Sequence, residues 1–133
     1  MRVVVDTNVF VSSFFGGPPG QIIECWRRGD ITLCVSRDLL DEYVEVLNRL
    51  GLEASLIHEL LELFASGYNL VFTASTSPLR ILKDDPDDNM LFECAVELKA
   101  AVIVTGHKAV RAVARYMDID VVTPTEFLAR QGG

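Results

Sequence analysis

The 133-residue chain contains no apolar run near the roughly 18 residues that a membrane-spanning helix requires. Its first apolar stretch is cut at Asp6 and again by Gly16-Gly17-Pro18-Pro19, so no basic-then-apolar leader is recognised. A cytoplasmic protein with no membrane partner is expected. Cysteine is sparse. Cys25, Cys34 and Cys94 are odd in number, far apart and form no C-x-x-C pair, which argues for buried small hydrophobes over redox or metal-binding thiols. Positive charge is also short, with 12 Lys and Arg against 19 Asp and Glu and a net charge of −7. That excludes a general basic surface for gripping nucleic-acid phosphates. A nucleic-acid substrate is not excluded, because divalent cations and a local Lys/Arg patch can supply the positive charge. Internal repeats and low-complexity segments are absent as well.

What the chain does have is alternation. Continuous apolar, β-branched runs at Arg2–Val5, Ile31–Val35, Leu70–Thr73, Ala101–Thr105 and Ile119–Val122 read as strands covered on both faces. Between them lie segments with helical spacing. Leu39, Leu40, Tyr43, Val44, Leu47 and Leu50 form one helix face, Leu56, Ile57, Leu60, Leu61 and Phe64 a second, and Met90, Leu91, Cys94, Ala95 and Leu98 a third. Gly51 stops the first of these helices, and Gly67 with Asn69 the next. Thr123-Pro124-Thr125-Glu126 has the form of a capping box opening a short last helix through Leu128. Strand–helix–strand alternation implies parallel strands joined by right-handed crossovers. The expectation is an α/β fold, a three-layer α/β/α sandwich around a central parallel sheet. It forms one domain over residues 1–130, with a frayed tail at 131–133.

Ligands of parallel sheets gather at the carboxyl ends of the strands. Asp6, Thr7 and Asn8 follow the first strand. Ser36 follows the second and should cap the helix carrying Glu42. The segment KDDPDDN, residues 83–89, opens the third helix, and Thr105-Gly106-His107-Lys108 follows the fourth strand. Each cluster also has a plain structural reading. Asp6 can cap a helix or turn, and Glu42 can be a solvated surface acid. Asp85 can serve as N-cap, with Pro86 at the first helical position and Asp87 and Asp88 near the positive end of the dipole. That last reading leaves Asp88 unexplained, because Asp88 aligns with Leu91, Phe92 and Ala95 on the face turned to the sheet. A carboxylate there requires a compensating positive charge. Carboxylates converging in one cleft repel, and a proton or cation must relieve them. Oxygen ligands without a Cys/His set call for a hard ion, Mg²⁺ or Mn²⁺, and such a site suits phosphodiester hydrolysis. On this reading Asp6 projects a ligand into the cleft, with Thr7 and Asn8 steadying it.

The segments VVVDTNVFVSSFF, VSRDLLDEYVEVLNR, KDDPDDNMLFECAVELKAAVIVTGHKAV and VVTPTEFL together resemble the PIN-domain family, and most of all its small prokaryotic branch of toxin-like ribonucleases from type II toxin–antitoxin pairs. The resemblance implies an α/β/α nuclease domain with an acidic cleft for Mg²⁺ or Mn²⁺, usually acting on RNA. It also implies a homodimer held in check by an antitoxin protein. By position, Asp6 matches the first-strand aspartate and Glu42 the helix glutamate. Asp88 matches the aspartate opening the fourth-segment helix, with Asp87 as rival, so the resemblance implies that Asp6, Glu42 and Asp88 hold the metal and are catalytic. Asn8 and Ser36 match supporting polar residues, and Thr105 a threonine that ends the fourth strand. The chain departs from the family at His107, where an aspartate is usual. His107 is then either a metal ligand, favouring Mn²⁺, or an ordinary loop histidine.

Arg80, Lys83, Lys108 and Arg111 are candidates for guiding an RNA backbone. A PIN-like domain weakened by the missing fourth acid, binding RNA or protein without cleaving, is the alternative. A phosphoacceptor signalling domain fails because Asp6 stands alone after the first strand. Trp26 and the segment Glu53–Phe64 are open to two readings, as core or as a dimer or antitoxin surface.

Overall fold

Val3, Val4 and Val5 are each 0% exposed. Successive strand residues face opposite sides of a sheet, so both faces of this first strand, β1 (Arg2–Val5), are covered. The computed structural model describes residues 1–83 and 85–132. Asp84 of the acidic segment, Gly133 of the expected tail and the side chain of Pro86 lie outside that description.

Among the described residues β1 is joined in one sheet by β2 (Thr32–Ser36), β3 (Leu70–Thr73), β4 (Val102–Val104), β5 (Arg115–Tyr116) and β6 (Ile119–Val122). Their order is β3-β2-β1-β4-β6-β5. All pairs are parallel except β5 on β6. The helices are α1 (Thr7–Ser12), α2 (Gly17–Arg27), α3 (Arg37–Arg49), α4 (Ala54–Ala65), α5 (Pro86–Glu97), α6 (Lys108–Arg111) and α7 (Pro124–Gly132). The result is an α/β/α sandwich on a mostly parallel sheet, as the alternation of elements implied.

Local chemistry accounts for the helix boundaries. Ser36 Oγ accepts from Leu39 N–H at 3.2 Å and caps α3. Leu39, Tyr43 and Leu47, spaced by four, bury its inner face, and Gly51 (φ +69°) takes the left-handed turn beyond it. At α7 the capping box closes in both directions: Glu126 N–H donates to Thr123 Oγ1 at 3.1 Å, and Thr123 N–H to Glu126 Oε1 at 2.9 Å. This last helix continues past Leu128 to Gly132.

Several elements differ from expectation for definite reasons. The Gly-Pro-rich stretch at 16–19 looked like a break, but its prolines occupy the first positions of α2, where a missing N–H costs nothing. Strand β5 is only two residues long, too short for any periodic signal, and it adds an antiparallel pair to a sheet expected to be parallel throughout. Strand β3 is not covered on both faces. It lies at the sheet's edge, and Phe72 is 46% exposed. Trp26 is core: it is fully buried, and its indole N–H lies 3.0 Å from Tyr68 O and 3.2 Å from Asn69 O. Within Glu53–Phe64, Leu60 is buried, whereas Leu56 and Leu61 are exposed. All three cysteines are free and buried. No helix among the described residues is long and apolar enough to cross a membrane.

Candidate metal centre

From β1 the chain winds one way through β2 and β3, and from β4 it winds the other way to β6. The boundary between neighbours β1 and β4 is therefore a topological switch point, where open α/β sheets leave a crevice at their carboxyl ends. Asp6 and Thr105 stand side by side at that crevice, with Asp6 N–H donating to Val104 O at 2.9 Å. Asp6 also heads α1, yet its side chain makes no capping bond. Instead its Oδ2 accepts from Thr105 Oγ1 at 2.5 Å. Thr105 Oγ1 in turn accepts from His107 N–H at 3.0 Å. With Asp6 8% and Thr105 0% exposed, this chain of bonds holds the carboxylate rigidly at the rim.

The start of α5 repeats the pattern. Asp85 occupies the N-cap position without capping, and its carboxyl lies close to that of Asp88. From the other side His107 Nδ1 approaches Asp88 Oδ2 to 3.2 Å. One donor atom from each of Asp85, Asp88 and His107 lies within 4.8 Å of the others. Burial first, and the adjoining Asp85 carboxyl second, push the Asp88 carboxyl up to about 6, with the His107 charge opposing the rise.

Glu42 reaches the same edge from α3. Its neighbour Tyr43 fixes the helix there: the buried hydroxyl donates to Val5 O, and the ring stacks on Phe10 at 4.2 Å. Burial raises the Glu42 carboxyl above its ordinary value. The Thr7 hydroxyl, near that carboxyl but outside hydrogen-bonding geometry, opposes the rise, and the charges of Asp6 and Asp87 add to it. Two buried side-chain oxygens among the described residues complete no hydrogen bond, Thr7 Oγ1 and Asp88 Oδ2. Each such orphan costs about 1–3 kcal/mol, and both stand at this rim. His107 Nδ1 lies within ion-pairing distance of Asp88 Oδ2 without completing a hydrogen bond to it. Carboxylate oxygens, a hydroxyl and an imidazole are all groups that bind divalent ions, so the donor set at Asp85, Asp88 and His107 fits one.

The expected trio of Asp6, Glu42 and Asp88 does not form the tightest group. Asp6 acts electrostatically on both of the others, but the donors that close to within 4.8 Å are those of Asp85, Asp88 and His107. Asp87 is exposed and lines a groove of ≈ 580 Å³ between α3 and α5 with Asp38, Asp41, Glu42, Glu45 and Glu93. Asn8 is exposed and takes no part in the network, whereas Ser36 is buried as the α3 cap. Arg80, Lys83, Lys108 and Arg111 are all exposed. Sequence reasoning read Asp85 only as a cap. The signal it lacked was the uncapped backbone geometry that turns this carboxyl toward Asp88.

A mostly parallel sheet carrying acidic side chains and a histidine at its switch point defines a class of α/β proteins in which a strand edge could hold a divalent ion. Residues 2–109 match the family described as PIN domain, and the chain belongs to that family. It is 30% identical to the uncharacterized protein MJ1680 of Methanocaldococcus jannaschii, over 96% of this chain and 90% of that protein. No solved structure matches the chain significantly. PIN domains are nuclease-type domains, typically metal-dependent, and PIN nucleases bind nucleic acid.

Proposed function

We propose that this protein is a metal-dependent endoribonuclease. The observation that carries the reading is the pair of orphaned buried oxygens, Thr7 Oγ1 and Asp88 Oδ2, at an edge where carboxylates from β1, α3 and α5 face one another. Asp6, Glu42 and Asp88 hold the ion, with Asp85 and His107 completing the set. Thr105 orients Asp6. An imidazole among the ligands favours Mn²⁺ over Mg²⁺. The ion's contribution when bound is Lewis acidity toward a phosphodiester and a lowered water pKa. Lys108 and Arg111, on α6 immediately after His107, draw phosphate to the mouth of the site. RNA as substrate follows from the family likeness.

A toxin role with an antitoxin partner, a homodimer, a cytoplasmic setting and a single domain over residues 1–130 belong to the same reading. Exposed Leu56, Leu61 and Phe72 are the side chains such partners would cover. Cleavage of RNA by the wild type with Mn²⁺ or Mg²⁺, and its loss in Asp6→Asn, is the expected result. Equal cleavage by both refutes the assignment.

A second reading has one observation in its favour, the approach of His107 to Asp88, which places an imidazole where the family usually has an acid. On that reading the protein binds RNA or a protein partner without cleaving. Cleavage that appears only in His107→Asp would establish it, and an inert His107→Asp together with an active wild type would remove it.

A further inference from the structure

Residues 74–83, between β3 and α5, carry no helix or strand. Loops held on a rigid scaffold disproportionately carry binding residues. This one is stitched down. Buried Asn89 on α5 accepts from Ile81 N–H at 3.2 Å and Leu82 N–H at 2.8 Å, and donates to Leu82 O at 2.9 Å. One turn further along α5, Glu93 Oε2 accepts from Leu79 N–H at 2.8 Å. The backbone of the strap is thereby pre-set, while Arg80 and Lys83 remain exposed on it. Neither makes an ion pair with a described residue.

Between strap and helix lies a cavity of ≈ 540 Å³, within the roughly 300–1,000 Å³ range of small-ligand pockets. Pro78, Leu79 and Leu82 give it an apolar wall, Arg80 and Lys83 a cationic rim, and Asn89 and Glu93 its back. Asn89 directly follows Asp88, so this cavity and the metal centre share the first turn of α5.

We propose that the cavity is a subsite for one nucleotide of a single-stranded RNA beside the acidic rim. The base lies against Pro78, Leu79 and Leu82, and Arg80 and Lys83 hold the flanking phosphates. The choice of occupant rests on charge complementarity. The chain carries −7 overall, and these two cations border an apolar recess next to a carboxylate cluster. An unstacked base can enter such a recess, whereas a base paired in a duplex cannot. The subsite deepens the ribonuclease reading and rests on it for the identity of the strand.

The test is anisotropy of a fluorescein-labelled single-stranded RNA in Ca²⁺, comparing wild type, Arg80→Ala/Lys83→Ala and the charge-preserving Arg80→Lys/Lys83→Arg. Both positions are exposed, so melting temperature and Mn²⁺ affinity stay unchanged and serve as controls. The alanine pair is expected to bind about tenfold more weakly, with a salt slope shallower by about 1.4 for two lost single-strand phosphate contacts. The charge-preserving pair retains most of the affinity. Wild-type affinity and slope in the alanine pair would overturn the proposal, as would a wild type that binds no RNA or binds a blunt duplex equally well. Weakened binding in the alanine pair alongside a wild type inert toward RNA in Mn²⁺ supports the subsite and refutes the nuclease. Cleavage that is lost in Asp6→Asn but unaffected in KM by the alanine pair does the reverse.

Discussion

Thr105→Val removes one oxygen from a fully buried side chain and little else, since valine has nearly the same shape. Two bonds disappear: the 2.5 Å bond donated to Asp6 Oδ2 and the 3.0 Å bond accepted from His107 N–H. A hydrogen bond to a charged group is worth about 1.5–3 kcal/mol and a neutral one about 0.5–1.5 kcal/mol, so the expected loss is about 2–4.5 kcal/mol. At roughly 2.1 cal/mol/K of unfolding entropy per residue, a loss near the middle of that range lowers Tm by about 10 °C in a chain of this length. The same hydroxyl orients a metal-holding carboxylate, and removing such a support typically weakens metal affinity about 10- to 100-fold. Thr105→Ser keeps the oxygen and gives up a methyl group. It should lose only about 1 kcal/mol and keep its affinity for Mn²⁺. Scanning calorimetry reads the first quantity and titration calorimetry with Mn²⁺ the second. If Thr105→Val melts and binds Mn²⁺ like wild type, the hydroxyl is not what holds Asp6, and the account of a pre-organised rim is wrong.

The Asp88 carboxyl lies at about 6 instead of 3.8, raised by burial and by Asp85, with Asp6 adding to the rise and His107 opposing it. The folded group holds its proton more tightly than the unfolded one. It therefore favours the fold in acid, and that contribution is lost as pH rises from 3.8 towards 6. A cation must displace that proton, so Mn²⁺ affinity measured by calorimetry should decline as pH falls through about 6. A flat profile between about pH 5 and about pH 8 refutes this. Tyr43→Phe takes away the buried hydroxyl that serves Val5 O and should destabilise by about 1–3 kcal/mol, read as a lower urea midpoint at unchanged m-value. An unchanged midpoint would mean that this bond does not fasten α3 to β1. Burial pushes the Cys34 thiol up to about 11 and that of Cys94 to about 12, so both should resist a thiol reagent in the native protein and react after denaturation. Rapid native labelling of either contradicts their place in the core.

Much of this molecule was legible from side-chain spacing. Leu39, Tyr43 and Leu47 declare the inner face of α3, and the apolar run after Met1 declares a strand covered on both sides. Ser36 and Thr123 announce caps by chemistry that acts over three residues. That Asp6, Glu42 and Asp88 belong near one edge was expected from strand–helix alternation, because the carboxyl ends of parallel strands share a rim. What was illegible is equally specific. Whether a carboxylate beside a helix start caps that helix or turns away from it depends on side-chain rotation. That rotation put Asp85 beside Asp88 and left Asp87 in the outer groove. The two-residue β5 carries no period to detect, and Asn89 looked like one more polar residue in an acidic run until the strap lay across it.

Local order, then, is the sequence's own work. Helices, caps and buried strands arise from interactions between residues a few positions apart, which a linear reading can count. The centre is of another kind. Asp6 and Thr105 are 99 positions apart, and Asp88 meets His107 only because β4 lies against β1 with α5 packed over both. Contacts between such distant residues are settled by how whole elements pack. The side chains that stand within reach of one ion were therefore decided by the tertiary structure alone.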